Sequence, residues 1–182
     1  MKLVTILGTR PEIIRLSRII VALDATFDHV LVHTGQNSGF NLSEVFFQDL
    51  QIRQPDHFLE ISHSSPGQSI GEILIKTEQV LLRENPDAIL ILGDTNSALS
   101  VIIARRMGIP VFHMEAGNRC FDRKVPEESN RRIVDHTSDI NLVYTEHARR
   151  NLLNEGIHPR TIYLTGSPMR EVLDYYRPFF LK

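Results

Sequence analysis

The sequence predicts an α/β fold, a doubly wound parallel-sheet domain of Rossmann-like type, on three observations. Short β-branched apolar runs alternate with longer amphipathic stretches from end to end. That order implies right-handed crossovers and a sheet covered on both faces. Most of the apolar runs stop at a small, polar, glycine-bearing segment that leads into a helical pattern. Finally, the chain has 182 residues, 42% of them hydrophobic, without repeats, low-complexity tracts or a Pro/Gly/Ser-rich linker. This suits one large domain at ~150 residues per domain, and such a chain buries roughly 70% of its unfolded surface without a disulfide or metal staple.

The first strand is expected over residues 3–7 and runs into Gly8-Thr9-Arg10-Pro11-Glu12. A helix over 11–25 follows, with Pro11 in a favoured first-turn position and Ile13, Leu16 and Ile20 at helical spacing. A strand over 29–33 ends in Thr34-Gly35-Gln36-Asn37, and a helix is expected over 40–50. A weaker strand at 57–61 precedes a helix over 65–84 that carries Ile70, Ile73, Thr77 and Leu81 on one face. The strand over 88–92 stops at Gly93-Asp94-Thr95-Asn96, with a helix over 96–107 behind it. The strand over 110–114 ends in Glu115-Ala116-Gly117-Asn118-Arg119, and an irregular loop then delivers a helix over 127–138. Strand 140–144, helix 146–155, strand 161–164 and a last helix over 168–176 complete the alternation, with Thr165-Gly166-Ser167 between the final pair.

Composition excludes several classes. A formal charge of −2 argues against nonspecific nucleic-acid binding, which needs a basic face. No run approaches the ~18 apolar residues of a membrane span, and the start is too short in apolar residues for a signal peptide. A lone cysteine, Cys120, excludes an intramolecular disulfide framework and fits a reducing compartment, so a cytoplasmic location is expected. The eight histidines lack metal-ligand spacing, so no metal is expected, and Walker A, G-x-G-x-x-G and G-x-S-x-G sequences are absent.

In an open parallel sheet, ligands bind beyond the carboxyl ends of the strands. Arg10 lies where a strand hands over to a Pro-started helix, a place to clamp a phosphate or to pair with Glu12. Arg15, a turn further on, adds charge or lies on the surface. Asp94 follows an apolar strand and is either a functional carboxylate or a helix N-cap. Glu115 sits at the mouth of a strand buried by pattern, where a carboxylate is costly without water, a partner or a ligand. Glu127 and Glu128 open a helix, where the dipole favours them, and Glu128 with Arg132 has ordinary i,i+4 spacing. Glu127 shares a face with Asn130 and Arg131.

Together these segments resemble the non-hydrolysing UDP-N-acetylglucosamine 2-epimerase family. The matching motifs are Gly8-Thr9-Arg10-Pro11-Glu12, Gly93-Asp94-Thr95, His113-Met114-Glu115-Ala116-Gly117, Pro126-Glu127-Glu128-Ser129-Asn130-Arg131 and Thr165-Gly166-Ser167-Pro168, in family order. Segments 33–37 and 117–122 look like the branch of capsule and O-antigen enzymes that convert UDP-2-acetamido-2,6-dideoxy-L-talose to UDP-N-acetyl-L-fucosamine.

The resemblance implies the N-terminal half of a GT-B-like two-domain enzyme. Residues 1–167 would form the Rossmann-like domain and 168–182 a terminal helix and the start of the hinge. The partner domain, which would bring most uridine contacts and a histidine–arginine motif, is not in this chain. The implied reaction inverts C2 of a UDP-N-acetylhexosamine by anti elimination and syn re-addition of UDP, without a cofactor, and relatives are commonly homodimers. Asp94, Glu115 and Glu127 match the family's catalytic carboxylates and Arg10 its phosphate-binding arginine. Arg15 stands where a lysine is usual, and Arg131 would orient Glu127 or the substrate. Two other readings fit the chain: a non-catalytic nucleotide-sugar-binding or scaffold module, and a hydrolysing epimerase.

Overall fold

A computed structural model gives the fold of residues 1–35, 40–62 and 64–180. Gln36 and Asn37, and the last two residues of the expected hinge, lie outside the described residues. Strands β1 (Lys2–Leu7), β2 (Asp28–His33), β3 (His57–Phe58), β4 (Ala88–Leu92), β5 (Val111–Met114), β6 (Ile140–Val143) and β7 (Ile162–Leu164) form one sheet. All pairs are parallel, in the order β3-β2-β1-β4-β5-β6-β7. The doubly wound α/β architecture is therefore as expected, and the order reverses between β1 and β4, the crevice where such sheets take ligands.

Helices α1 (Arg10–Thr26), α2 (Phe40–Asp49) and α7 (Met169–Phe180) belong to one face. On the other are α3 (Pro66–Glu84), α4 (Val101–Arg106) and α5 (Pro126–Thr137), and α6 (Glu146–Asn154) follows β6. The period of two along each strand divides the core. Val4, Ile6, Ile89 and Ile91 pack with Ile73, Leu81 and Val134 on one face, while Leu7, Leu90 and Leu92 pack with Ile13, Leu16 and Ile20 on the other. Among the described residues no helix is long and apolar enough to cross a membrane.

Three elements differ from expectation for local reasons. The weak strand at 57–61 is reduced to His57–Phe58 because Glu60 adopts φ 49°, although the Leu59 and Ile61 amides still reach the carbonyls of His33 and Thr34 at 2.8 and 3.1 Å. The helix expected over 96–107 opens as a 3₁₀ segment, Asn96–Ser100. Here Ser97 Oγ bonds Thr34 Oγ1 at 2.7 Å, and both oxygens lie 2.1 Å from where a Cβ on Gly8 would stand. Only glycine at position 8 lets this tight turn lie against the β1 end. Helix α7 runs past the predicted 176 through Pro178, which gives up one backbone bond near the helix end. Tyr176 holds it down, its hydroxyl donating to the Leu50 carbonyl, and the Arg18 guanidinium stacks 3.5 Å from the Tyr175 ring centre.

Candidate functional site

The β1 and β4 ends are tied together by a buried carboxylate. Glu12, three residues after the Thr9 cap, accepts from the Gly8 amide at 2.6 Å, the Thr9 amide at 3.0 Å and the Thr95 hydroxyl at 2.7 Å. Burial pushes its carboxyl up to about 7 against these three donors. Glu12 is thus occupied by the loops, and Arg10 is not its partner. Arg10 is exposed at the N-terminus of α1 and has no ion pair among the described residues.

Glu115 follows β5. Phe112 and Met114 face α1, and His113 faces α5, so an extended Glu115 would also point toward α5. Instead Glu115 takes φ 65°, a left-handed conformation that costs a non-glycine residue roughly 1–2 kcal/mol and turns its Cβ to the opposite side. There its carboxylate pairs with Arg15 of α1, and Asn118 Nδ2 donates to the other oxygen at 3.3 Å. The carboxyl is raised, first by burial; Arg15 opposes the rise, and the negative Asp94 adds to it.

Asp94 is held at 2.6 Å by Arg131 Nε of α5. It does not cap the following turn, whose cap is Thr95. Asn130 fixes the same loop by donating to the Asp94 carbonyl at 2.9 Å. Arg131 also reaches Glu128 at 3.1 Å, so the arginine expected to orient Glu127 or the substrate joins Asp94 to Glu128 and not to Glu127. Glu128 is 1% exposed and takes the Cys120 amide at 3.0 Å and Arg132 at 3.2 Å. Its donors hold it down at about 2, against the opposing effect of burial. Glu127, one residue earlier, is exposed and without an ion pair among the described residues.

Below these loops lies a second charged layer that spacing alone did not reveal. His113 Nε2 meets the Gly93 carbonyl at 2.9 Å and its Nδ1 lies 2.9 Å from Asp135, which also takes Arg119, its side chain fully buried, at 2.7 Å. Arg119 extends to Glu155 at 2.6 Å. Gly117 must be glycine here: it takes φ 81°, its amide bonds Asp135, and an added Cβ would stand 2.4 Å from the Ala148 carbonyl oxygen. The network fixes the 115–119 segment against α5 and α6.

The fold therefore brings Arg15 to Glu115 and Arg131 to Asp94 over neighbouring strand ends, and leaves Arg10 and Glu127 open to solvent. Sequence spacing did not single out Glu12, Asp135 or Arg119; for Glu12 the signal was its place three residues after Thr9, the spacing of a capping box. Among the described residues no three His, Cys, Asp or Glu side chains group as a metal site.

A family model described as UDP-N-acetylglucosamine 2-epimerase matches residues 21–182. A UDP-N-acetylglucosamine 2-epimerase of Methanocaldococcus jannaschii is 45% identical over 169 residues, 92% of this chain and 46% of that protein. A UDP-2,3-diacetamido-2,3-dideoxy-D-glucuronate 2-epimerase of Pseudomonas aeruginosa is 42% identical over 86% of this chain and 45% of its own length. Among solved structures, a UDP-N-acetylglucosamine 2-epimerase from Rickettsia bellii superposes with TM-score 0.95 at 53% identity, covering 100% of this chain and 49% of that one. The M. jannaschii enzyme in complex with UDP-GlcNAc and UDP superposes with TM-score 0.96 at 41% identity, covering 100% and 51%. This chain spans about half the length of the relatives that it matches.

Proposed function

Because the chain belongs to the UDP-N-acetylglucosamine 2-epimerase family, we propose that it supplies the carboxylate-bearing half of an enzyme inverting C2 of a UDP-2-acetamido sugar. The observation that carries this reading is the pair of carboxylates, Glu115 and Asp94, each held by its own arginine at adjacent strand ends.

In the proposed reaction a carboxylate takes the C2 proton as the C1–O bond to UDP breaks anti to it. The C2–H electron pair becomes the C1–C2 double bond of a 2-acetamidoglycal, and UDP leaves with the C1–O pair. A second acid then protonates C2 from the other face and the diphosphate oxygen re-adds at C1. Inversion needs proton carriers on both faces of C2, which is why several carboxylates are required. Glu115, with its carboxyl raised by burial, and the exposed Glu127 are assigned this pair of roles. Asp94 is assigned as base or as stabiliser of the cationic sugar. Arg10, Arg15 and the α1 N-terminus would take the departing diphosphate, and Arg131 positions Asp94.

Residues 1–167 would form the domain and 168–182 lead toward a second domain holding most of the uridine contacts. Substrates within reach of this chemistry include UDP-N-acetylglucosamine and UDP-2-acetamido-2,6-dideoxy-L-talose, the latter placing the enzyme in surface-polysaccharide precursor synthesis. Incubation of the full-length enzyme with each in deuterated water tests the reading. Deuterium at C2 and the 2-epimer are expected with at least one sugar. No exchange with either overturns it, and free N-acetylmannosamine with UDP would mark a hydrolysing enzyme instead. Glu115→Gln should lower exchange by about a hundredfold or more while retaining the native circular dichroism; wild-type exchange in this variant removes Glu115 from the mechanism.

A further inference from the structure

Tyr144 follows directly on β6 and packs against the core cluster on the α1 face, the cluster that holds Leu16 and Met114. Its phenol oxygen is buried and has no hydrogen-bond partner among the described residues. Buried hydroxyls are normally bonded, so an orphan beside a charged cluster calls for an account. β5 and β6 are in register with Met114 opposite Leu142, and the Ala116 amide reaches the Leu142 carbonyl at 3.3 Å. Glu115, with its left-handed backbone and its carboxylate on Arg15 of α1, therefore lies on the same face of the sheet as the Tyr144 ring.

In this structure Glu115 has its donors: Arg15 on one oxygen and Asn118, at a long 3.3 Å, on the other. The ionic groups that act on it are Arg15 from α1, Asp94 with its partner Arg131 from the β4 end and α5, and His113 from β5. Tyr144 comes from β6. Burial, and then the negative Glu115, hold the phenol proton on Tyr144 well above its ordinary range, so the hydroxyl can serve Glu115 only as a neutral donor. Arg15 is the more exposed of the ion pair, its side chain 36% accessible against 17% for Glu115. It is the member an anion from solvent can capture.

We infer that, given the phosphate role of Arg15 proposed above, Tyr144 is a positioning residue: its hydroxyl takes hold of Glu115 when an anionic ligand draws Arg15 away. The carboxylate then keeps a donor and a fixed direction at the stage when it must handle a proton. Without Tyr144 it would lose its principal donor on ligand binding, and its proton affinity would climb, because donors to the charged form are what restrain it.

The test follows the Glu115 carboxyl carbon by NMR through a pH titration of the 182-residue chain, with inorganic pyrophosphate as the probe. Arg15→Met and the double variant Arg15→Met/Tyr144→Phe isolate the hydroxyl. The double variant is expected to titrate about one pH unit higher than Arg15→Met, a tenfold change in proton affinity. With Arg15 intact, saturating pyrophosphate should raise the midpoint more in Tyr144→Phe than in wild type. Equal midpoints for the single and double Arg15 variants overturn the inference. If pyrophosphate has no effect while those variants still differ, the donor role stands and the phosphate reading of Arg15 alone fails. Tyr144→Phe removes only an unbonded oxygen, so it should melt at the wild-type temperature or above. A lower melting temperature means that the hydroxyl already has a partner, and this too refutes the proposal.

Discussion

Glu12 is a first-turn carboxylate whose position would serve any helix, yet here it closes the β1 loop onto the β4 loop through Gly8, Thr9 and Thr95. Its elevated proton affinity makes it a stability titrator with a definite sign. The folded chain holds this proton up to about pH 7, whereas an unfolded glutamate releases it near 4.5. The stabilisation from the protonated form is therefore full below pH 4.5 and is lost as pH rises through 7, about 3 kcal/mol across that window. Glu115, also raised by burial, acts in the same direction. Urea unfolding at pH 5 and pH 8 should show this decline in wild type and a markedly smaller one in Glu12→Gln. The amide can still accept from the two backbone N–H groups, with its NH₂ turned to the Thr95 hydroxyl.

At the scale of elements, α5 is the clamp of the site. Its first turns put Glu128 under the 118–120 loop and Arg131 against Asp94, while Asp135 two turns later reaches His113, Gly117 and Arg119. One helix thus holds the ends of both β4 and β5. Glu128→Ala leaves Arg131 and Arg132 without their shared carboxylate and the Cys120 amide without its acceptor. Arg131 keeps Asp94 and Arg132 keeps Glu155, so the loss is mainly that of the hydrogen bonds, about 1–3 kcal/mol, and urea midpoints at neutral pH should fall accordingly. Glu128 is held near 2, so its contribution is complete above pH 4.5 and is lost as pH falls toward 2. The wild-type advantage over the variant should shrink through that range. Because Arg131 also holds Asp94, C2 exchange in the full-length enzyme is expected to fall with stability, even though Glu128 touches no substrate in the proposed reaction.

At the scale of the whole molecule, the described residues hold a seven-stranded sheet with apolar clusters on both faces and the carboxylates at its strand ends, in a chain that spans about half the length of its relatives. The chain alone is expected to unfold cooperatively in urea yet to exchange C2 hydrogen at least roughly a hundredfold more slowly than the full-length enzyme. Its carboxylates would then lack the groups that orient the nucleotide. Comparable exchange by the chain alone would show that these residues suffice.

The order of strands and helices, the faces of α1 and α3, and the glycine-bearing strand ends were legible in the sequence, because periodicity and turn residues act over a few positions. Glu115 was legible as an ionisable group at a buried strand end. What the sequence could not show is which neighbour each charge chooses. Arg10 rather than Arg15 stands nearest Glu12 along the chain, yet Glu12 turns inward to the loop amides and Arg15 reaches Glu115, 100 residues away. Arg131 likewise passes over Glu127 for Asp94. Local spacing determines where a side chain starts. Its partner is decided by packing, through the tight approach at Gly8, the left-handed turn at Glu115 and the fixed crossing of α5 over two strands. These are distances between segments remote in sequence, and only the folded chain sets them.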